Sequence, residues 1–260
     1  KDSLCYTYST MQSKSYSIEF GGKTLTVEFT DLADQATSSL LMRYGDTVIL
    51  ATVVMSTHEK EGDFFPLTVD FEEKFYAAGQ ILGSRFMRRE GRPSDEAVLS
   101  GRMIDRTIRP LFPHHMRNEV QVVITTLAIG EDDPDVLGIN ATSLALMTSP
   151  IPWNGPVGAI RMFAQSKESE LSFNPAYSAR KEKLPHLDMI TCAKDGNIVM
   201  IEVGADEVGE GLVGEALEKA AAEIEKFNQF QKTIAAEIGK EKVAIAAPVG
   251  PAGMSELFAS

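Results

Sequence analysis

Residues 47–55, with the sequence TVILATVVM, decide the fold class of this 260-residue chain. Their β-branched side chains predict a strand that is buried on both faces. Two alternating segments precede it, residues 15–20 and 24–29, and the two glycines between them predict a β-hairpin. Residues 64–71 predict another strand, with a proline near its start. Residues 33–42 show a mixed pattern, so the first part of the chain is predicted to be mainly sheet.

From residue 94 onward the chain mixes helices with strands. Ser94 is a predicted N-cap because acidic residues follow it, and Pro110 ends that helix at Arg109. Residues 136–147 form a second predicted helix. Further strands are predicted over residues 119–129, 157–163, 187–193 and 197–203. This order is typical of an α+β fold, in which helices pack against one face of a mixed sheet.

A change of composition near residue 206 predicts a domain boundary. Beyond it the chain is rich in Ala, Glu and Lys, as in EALEKAAAEIEKF, which is the pattern of an amphipathic helix. We therefore expect an α+β domain over residues 15–205 and the start of an all-α domain over residues 206–260. Because the chain begins at Lys1 and ends without a closing element, we expect it to be part of a longer protein.

The composition excludes several classes of protein. With 43% hydrophobic and 24% charged residues, the chain is neither disordered nor a disulfide scaffold. Its two cysteines, Cys5 and Cys192, lie far apart and indicate a reducing compartment. No apolar run is long enough to span a membrane, so we expect a cytoplasmic protein without membrane partners. A net charge of −12 argues against a surface that is basic throughout.

One segment of this acidic chain is nevertheless basic. Residues 85–117 contain eight arginines, four acidic residues and no lysine. The planar guanidinium fork suits bidentate binding of phosphate, which makes this segment a candidate nucleic-acid site. The alternative is a set of solvated ion pairs, because Asp105 can reach both Arg102 and Arg109 along a helix.

Three of these arginines fall on one face of the predicted helix. Arg102, Arg106 and Arg109 follow the spacing i, i+4 and i+7, while Ile104 and Ile108 lie on the opposite face. The isoleucines would attach the helix to the sheet and leave the guanidinium groups to converge beyond it. We therefore predict that the three arginines bind a phosphodiester backbone.

Phe86, Arg88 and Arg89 lie in a glycine-bearing loop predicted over residues 76–91. An aromatic ring beside paired arginines can stack on an unpaired base while the arginines hold its phosphates, which is typical of single-stranded RNA binding. The alternative is that Phe86 is a core residue of a folded loop.

Other polar clusters have simpler interpretations. His114 and His115 have no cysteine or carboxylate at ligand spacing, so a polar loop is expected there. The acidic residues 131–135, EDDPD, suit a turn that caps the following helix better than a cation site. No P-loop, Rossmann, zinc-protease or serine-hydrolase motif occurs, and no metal ligand is predicted in this chain.

Six motifs, in this order along the chain, resemble bacterial polynucleotide phosphorylases. They are FFPLTV at 64–69, YAAG at 76–79, RREGRPS at 88–94, IDRTIRPLFP at 104–113, RNEVQV at 117–122 and NGPVGA at 154–159. The resemblance implies that residues 15–205 are the first RNase PH-like domain, with a ribosomal protein S5 domain 2-like fold. Residues 206–260 would begin the helical linker domain of that family.

The resemblance also implies an activity and partners. Proteins of this family are homotrimeric rings that degrade single-stranded RNA from its 3′ end, with phosphate as co-substrate and nucleoside diphosphates as products. They require Mg²⁺, which stabilises charge on the reacting phosphate, and they can join RNA-degradation complexes. Phe86, Arg88 and Arg89 would match the loop that grips RNA, and Arg102 and Arg106 would match arginines beside the active centre.

Departures from the family pattern place the catalytic residues outside this chain. By the resemblance, an arginine and a glycine-serine region of the second RNase PH-like domain correspond here to Gln35 and to Ser38-Ser39. An Asp-x-Asp pair corresponds to His186 and Asp188, so only one carboxylate is retained. We therefore expect RNA contacts and ring architecture from this half, without a complete phosphorolytic site.

Two alternative functions remain open on the sequence. The chain could be a non-catalytic RNA-binding ring subunit of an exosome-like assembly. It could also be a stand-alone RNase PH-like phosphorolytic enzyme, although Gln35 and His186 count against that interpretation.

Overall fold

The computed structural model describes residues 13–81, 91–167, 169–181 and 185–245. Its strands are β1 Lys14–Phe20, β2 Lys23–Phe29, β3 Ser38–Tyr44, β4 Thr47–Glu59, β5 Leu67–Glu72, β6 Asn118–Ala128, β7 Gly158–Ala164, β8 Ser172–Phe173, β9 Leu187–Lys194 and β10 Asn197–Ala205. Its α-helices are α1 Asp95–Ile108, α2 Pro134–Thr148, α3 Tyr177–Lys181 and α4 Glu210–Ile238. Short 3₁₀ turns cover Phe75–Ala78 and Arg109–Leu111. The predicted α+β fold is confirmed.

The first sheet has six strands in the order β1-β2-β3-β4-β6-β5. The predicted hairpin is present as β1 and β2, which pair antiparallel around Gly21 and Gly22. Only β5 runs parallel to its neighbour, β6, so this sheet is mixed as expected. The segment 33–42, whose sequence pattern is mixed, contains most of β3, which pairs with both β2 and β4.

The central strand β4 corrects one prediction. Ile49, Ala51 and Val53 are fully buried, whereas Leu50 and Thr52 on the other face are only half-buried. Burial on both faces was therefore wrong for most of this strand. Its run of β-branched residues reflects strand propensity, and α2 covers one face of the sheet here.

A second sheet of four strands, β10-β9-β7-β8, is antiparallel throughout. Helix α2 joins the two sheets, because it packs on β3 and β4 of the first and on β7 of the second. The side chain of Asn140 on α2 binds the backbone of Ala159 at the edge of β7. It accepts from the amide nitrogen at 2.7 Å and donates to the carbonyl oxygen at 3.0 Å. The side chain of Asn140 thus satisfies backbone groups at the start of β7 that no neighbouring strand pairs with in the described part of the chain.

Helix α4 packs on β7, β9 and α2 through one apolar face. The absence of a side chain at Gly158 allows this approach, since a Cβ there would lie 2.8 Å from a side-chain carbon of Ile224. Ala220, Ile224 and Phe227 are fully buried in the same core as the strands. The domain boundary between residues 205 and 206 stays a prediction. In the structure, the buried face of α4 belongs to the same hydrophobic core as the strands before it. No helix in the described ranges is long and apolar enough to cross a membrane.

Candidate nucleic-acid interface

A cleft of about 810 Å³ lies between α1, the N-terminus of α2 and the second sheet. The structure brings the three predicted arginines together along this cleft, with Arg102 and Arg106 on α1 and Arg109 in the 3₁₀ turn that follows it. It also adds two arginines from later parts of the chain that were not predicted. The five are Arg102, Arg106, Arg109, Arg161 and Arg180.

Local packing orients α1 so that its basic side faces the cleft. Ser94 caps the helix, because its hydroxyl oxygen accepts from the amide of Ala97 at 3.0 Å. Ile104 and Ile108 are fully buried, as predicted. Gly101 lets the helix approach β5 closely, since a Cβ there would lie 3.2 Å from the carbonyl oxygen of Val69.

Arg109 is held by other parts of the domain. Its Nε and Nη2 donate to the carboxylate of Asp105 at 3.0 and 2.6 Å. Its Nη1 and Nη2 also donate to the carbonyl oxygens of Phe65 and Leu67, at 3.1 and 3.2 Å. The ion-pair interpretation therefore applies to Arg109, whose side chain fastens the start of β5 to α1.

Arg106 and Arg102 are more accessible. Nη2 of Arg106 contacts the carboxylate of Glu202 on β10 and the sulfur of Met200. Both members of this ion pair are about half exposed, at 54% for Arg106 and 56% for Glu202. Arg102 is exposed and has no hydrogen bond or ion pair within the part of the chain described here.

The inner end of the cleft holds the two arginines that sequence reasoning missed. Arg161 on β7 donates to Asp188 on β9 at 2.8 Å and also contacts Asp133. Arg180 on α3 lies 3.4 Å from the same Asp133 and stacks over the ring of Tyr177 at 4.3 Å. A charged residue inside the apolar strand GAIRMFA could have indicated Arg161, since buried arginine needs a partner.

Burial changes the protonation behaviour of this inner end. Desolvation raises the pKa of the Asp135 carboxyl, to which the hydroxyl of Ser100 donates at 2.6 Å. Desolvation also lowers the pKa of the Arg161 guanidinium. The paired carboxylates of Asp188 and Asp133 compensate the buried charge of Arg161, as a buried cation requires.

The acidic run at residues 131–135 forms the predicted helix cap. A carboxylate oxygen of Asp133 accepts from the amide of Asp135 at 3.0 Å, and Pro134 occupies the first turn of α2. The neighbouring Asp132 pairs with Lys23. These acidic residues also supply partners to Arg161 and Arg180, which the local pattern did not reveal.

The donor set of the cleft does not fit a Mg²⁺ site. Asp133 and Asp188, beside the inner end of the cleft, are engaged by Arg161, and the carboxylate of Asp135 accepts a hydrogen bond from the hydroxyl of Ser100. Mg²⁺ prefers free carboxylate and water oxygens. Within the described ranges, no three His, Cys, Asp or Glu side chains are grouped to hold a metal. His115 instead lies 3.4 Å from the carbonyl oxygen of Ile245.

The positions matched to the second RNase PH-like domain do not form one site here. Ser38, the first residue of β3, lies beside the C-terminal end of α2, with its Oγ 3.2 Å from Oγ1 of Thr148. Asp188 lies at the other end, linked through Arg161 to the N-cap of α2. A helix of 15 residues separates them by about 20 Å. Gln35 is exposed and the side chain of His186 is buried.

Three predicted RNA-binding residues have no structural description. Phe86, Arg88 and Arg89 lie outside the described residues. Arg102, Arg106 and Arg109 are therefore the predicted RNA-binding residues that the structure places.

Comparisons with known proteins agree on the family. The sequence profile of the "3' exoribonuclease family, domain 1", RNase_PH, matches residues 21–152. A polyribonucleotide nucleotidyltransferase of Thermus thermophilus is 44% identical over 238 residues, which are 91% of this chain and 33% of that protein. One from Thermomicrobium roseum is 46% identical over 228 residues, covering 87% of this chain and 28% of that protein. The chain thus spans about a third of the length of these curated relatives.

Solved structures show the same fold at low sequence identity. Rice Rrp46 superposes with a TM-score of 0.62 at 15% identity, covering 86% of this chain and 94% of that chain. An Archaeoglobus fulgidus exosome with RNA bound to the active site gives a TM-score of 0.61 at 17% identity, covering 85% and 89%. At these identities the likeness concerns the fold alone.

Proposed function

This chain belongs to the 3′ exoribonuclease family, domain 1, and from that premise we propose that it is the N-terminal part of a polyribonucleotide nucleotidyltransferase. The whole protein would degrade RNA from its 3′ end with phosphate and release nucleoside diphosphates. The observation that carries the proposal is identity of 44–46% to polyribonucleotide nucleotidyltransferases across about nine-tenths of this chain.

In this proposal the present domain contacts RNA rather than cleaving it. Arg102 and Arg106 line the cleft with accessible guanidinium groups that suit phosphate oxygens. Arg109 positions α1 and β5, because most of its donors are already used. Phe86, Arg88 and Arg89 are proposed, by resemblance, to grip the RNA strand before it reaches the cleft.

The cofactor, assembly and location belong to the whole protein. We place Mg²⁺ and the phosphorolytic centre in the part of the protein that this chain does not span, since the described residues hold no group of three His, Cys, Asp or Glu side chains suited to a metal ion. The resemblance supports a homotrimeric ring in the cytoplasm, with RNA-degradation complex partners. The exosome-subunit alternative has less support, because those neighbours are only 15–17% identical.

A salt series of RNA binding tests this proposal. The full-length protein would be titrated against a labelled single-stranded RNA, with fluorescence anisotropy as the readout. Replacing Arg102 and Arg106 together by Ala should lower the salt slope of log K by about 0.7 for each phosphate that the variant no longer binds. Arg43→Ala is the matched control, because Arg43 is exposed on β3 and does not line the cleft.

The same assay extends to the loop residues. Arg88→Ala with Arg89→Ala should also lower the salt slope by about 0.7 for each phosphate released. Phe86→Ala should weaken binding by about 1–3 kcal/mol if a base stacks on the ring. An unchanged salt slope in the Arg102/Arg106 variant, or no phosphate-dependent release of nucleoside diphosphates by the full-length protein, would contradict the proposed function.

A further inference from the structure

Glu202 forms an ion pair with Arg106, whose guanidinium group binds RNA in the proposed function. It lies on β10, at the free edge of the second sheet, and its carboxylate contacts Nη2 of Arg106 across the cleft. The two residues are 96 positions apart in the chain. One turn earlier on α1, Arg102 has no such partner in the described part of the chain. The two candidate phosphate ligands are therefore in different states before RNA arrives.

We propose that Glu202 is an internal competitor of RNA, whose carboxylate must leave Arg106 before a phosphate can bind there. This inference rests on the proposed function. Carboxylate and phosphate oxygens both accept hydrogen bonds from guanidinium N–H groups, so Glu202 and an incoming phosphate compete for Nη2 of Arg106. Glu202 would then set the affinity of the cleft, and Arg102 would make the first contact with the strand.

The exposure of this ion pair allows the exchange. Ion pairs between solvated side chains contribute little stability, so water and an incoming anion can open them. Arg106 and Glu202 are both about half exposed. By contrast, the side chains of Arg161 and Asp133 are only 14% and 3% exposed. Arg109 is tied to two carbonyl oxygens as well as to Asp105. Among the paired arginines of the cleft, Arg106 is the one that can exchange partners at low cost.

Opening the pair leaves the surrounding structure supported. Strand β10 is held by its antiparallel pairing with β9, in which Glu202 faces Ile190. The sulfur of Met200 lies 3.5 Å from Nη2 of Arg106 and would remain in contact when the carboxylate is absent. Glu202→Gln should therefore remove the competing charge without unfolding the strand.

The charge balance of the cleft explains why this one carboxylate matters. Its acidic lining consists of Glu73, Glu96, Asp105, Asp135 and Glu202. Arg109 pairs with Asp105, and Asp135 accepts a hydrogen bond from Ser100. Glu202 is the carboxylate in direct contact with a guanidinium group assigned to RNA, so its removal should have the largest effect on phosphate binding there.

The test is RNA affinity in a double-mutant cycle on the full-length protein. Glu202→Gln should increase the affinity for a labelled single-stranded RNA about 2- to 5-fold at low salt, in keeping with the strength of an exposed ion pair. The gain should shrink as salt is raised, because screening weakens exposed charges. In an Arg106→Ala background the same substitution should give no gain. A merely structural role for Glu202 would instead lower affinity.

Glu215→Gln is the matched control. Glu215 pairs with Lys219 on α4, is 53% exposed and carries the same charge, but it does not line the cleft. A gain equal to that of the control, or a gain that persists without Arg106, would overturn the inference. If Arg106 matters for RNA binding and Glu202→Gln has no effect, the inference fails while the proposed function stands. If the wild-type protein does not bind RNA, both are overturned.

Discussion

Arg102 and Arg106 of α1 and Arg109 of the following 3₁₀ turn line the same cleft but meet different partners. Arg109 makes four hydrogen bonds to Asp105 and to carbonyl oxygens near β5. Arg106 has one exposed ion pair with Glu202, and Arg102 is unpaired within the described ranges. A guanidinium group can bind a ligand only through N–H donors that the protein does not already use. Arg109 therefore stabilises the fold, whereas Arg102 and Arg106 keep donors for a ligand.

Arg109→Ala should destabilise the fold, because two carbonyl oxygens and the Asp105 carboxylate lose their donor. The side chain is 40% exposed, so we expect a loss of about 1–2 kcal/mol in the free energy of unfolding. Urea denaturation measures this change. Arg102→Ala is the control and should lie within about 0.5 kcal/mol of wild type. Equal stability of the two variants would contradict the role assigned to Arg109.

Cys192 should be unreactive in the native protein. Burial raises the pKa of its thiol to about 12, and its side chain packs against Thr107 of α1. Because the thiolate is the reactive species, a Cys5→Ser variant should not react with a disulfide reagent at pH 8 until it is unfolded. Labelling can be followed by absorbance with and without denaturant. Rapid labelling of the folded variant would contradict the burial of Cys192.

At the scale of elements, α2 organises both sheets. Thirteen of its residues, from Pro134 to Thr148, are buried, so the helix has no solvent-facing side. Its N-terminus forms part of the cleft and its C-terminus lies beneath the start of β3. The segment after α4 closes that C-terminal end, where Lys242 donates to the carbonyl oxygens of Leu146 and Ser149, each at 2.7 Å. The cleft is therefore positioned by the same helix that builds the core.

The N-cap of α1 should contribute measurably to stability. The Ser94 hydroxyl accepts from the amide of Ala97 and donates to the carboxylate of Glu73 at 2.7 Å. Ser94→Ala should lower the free energy of unfolding by about 1 kcal/mol. Ser94→Thr keeps the hydroxyl and should retain most of it. Chemical denaturation would compare the three proteins, and identical losses in the two variants would argue against the cap.

At the scale of the whole molecule, this chain covers about a third of the relatives it matches. We expect that residues 1–260 alone do not phosphorolyse RNA, because the described residues hold no group of three side chains suited to a metal ion and because Asp133 and Asp188 are engaged by Arg161. The purified chain would be incubated with poly(A), phosphate and Mg²⁺, and release of nucleoside diphosphates would be followed. Turnover that survives stringent purification would contradict this expectation.

The full-length protein is expected to be a trimer. This expectation follows from the proposed function and applies to the intact polypeptide. Light scattering at micromolar concentration should give three times the mass of one chain. A monomer under these conditions would count against the ring.

The sequence alone predicted most of the helices and strands, and it predicted the three arginines that line one side of the cleft. The hairpin, α1 with its N-cap and the run of arginines follow from periods of two and 3.6 residues, which are properties of neighbours in the chain. That is why Arg102, Arg106 and Arg109 could be predicted to lie on one side of a helix, away from Ile104 and Ile108. The same local rules identified residues 131–135 as a helix cap.

Only the tertiary structure decided which residues each arginine contacts. Glu202 is 96 residues from Arg106, and Phe65 is 44 residues from Arg109. Arg161 and Arg180 reach the cleft from later parts of the chain, and the packing of α2 decides which face of β4 is covered. No local sequence pattern predicts these contacts between residues far apart in the chain, because they form only when α2 packs between strands that are distant in the sequence. The roles of the arginines therefore depend on contacts that exist only in the folded chain.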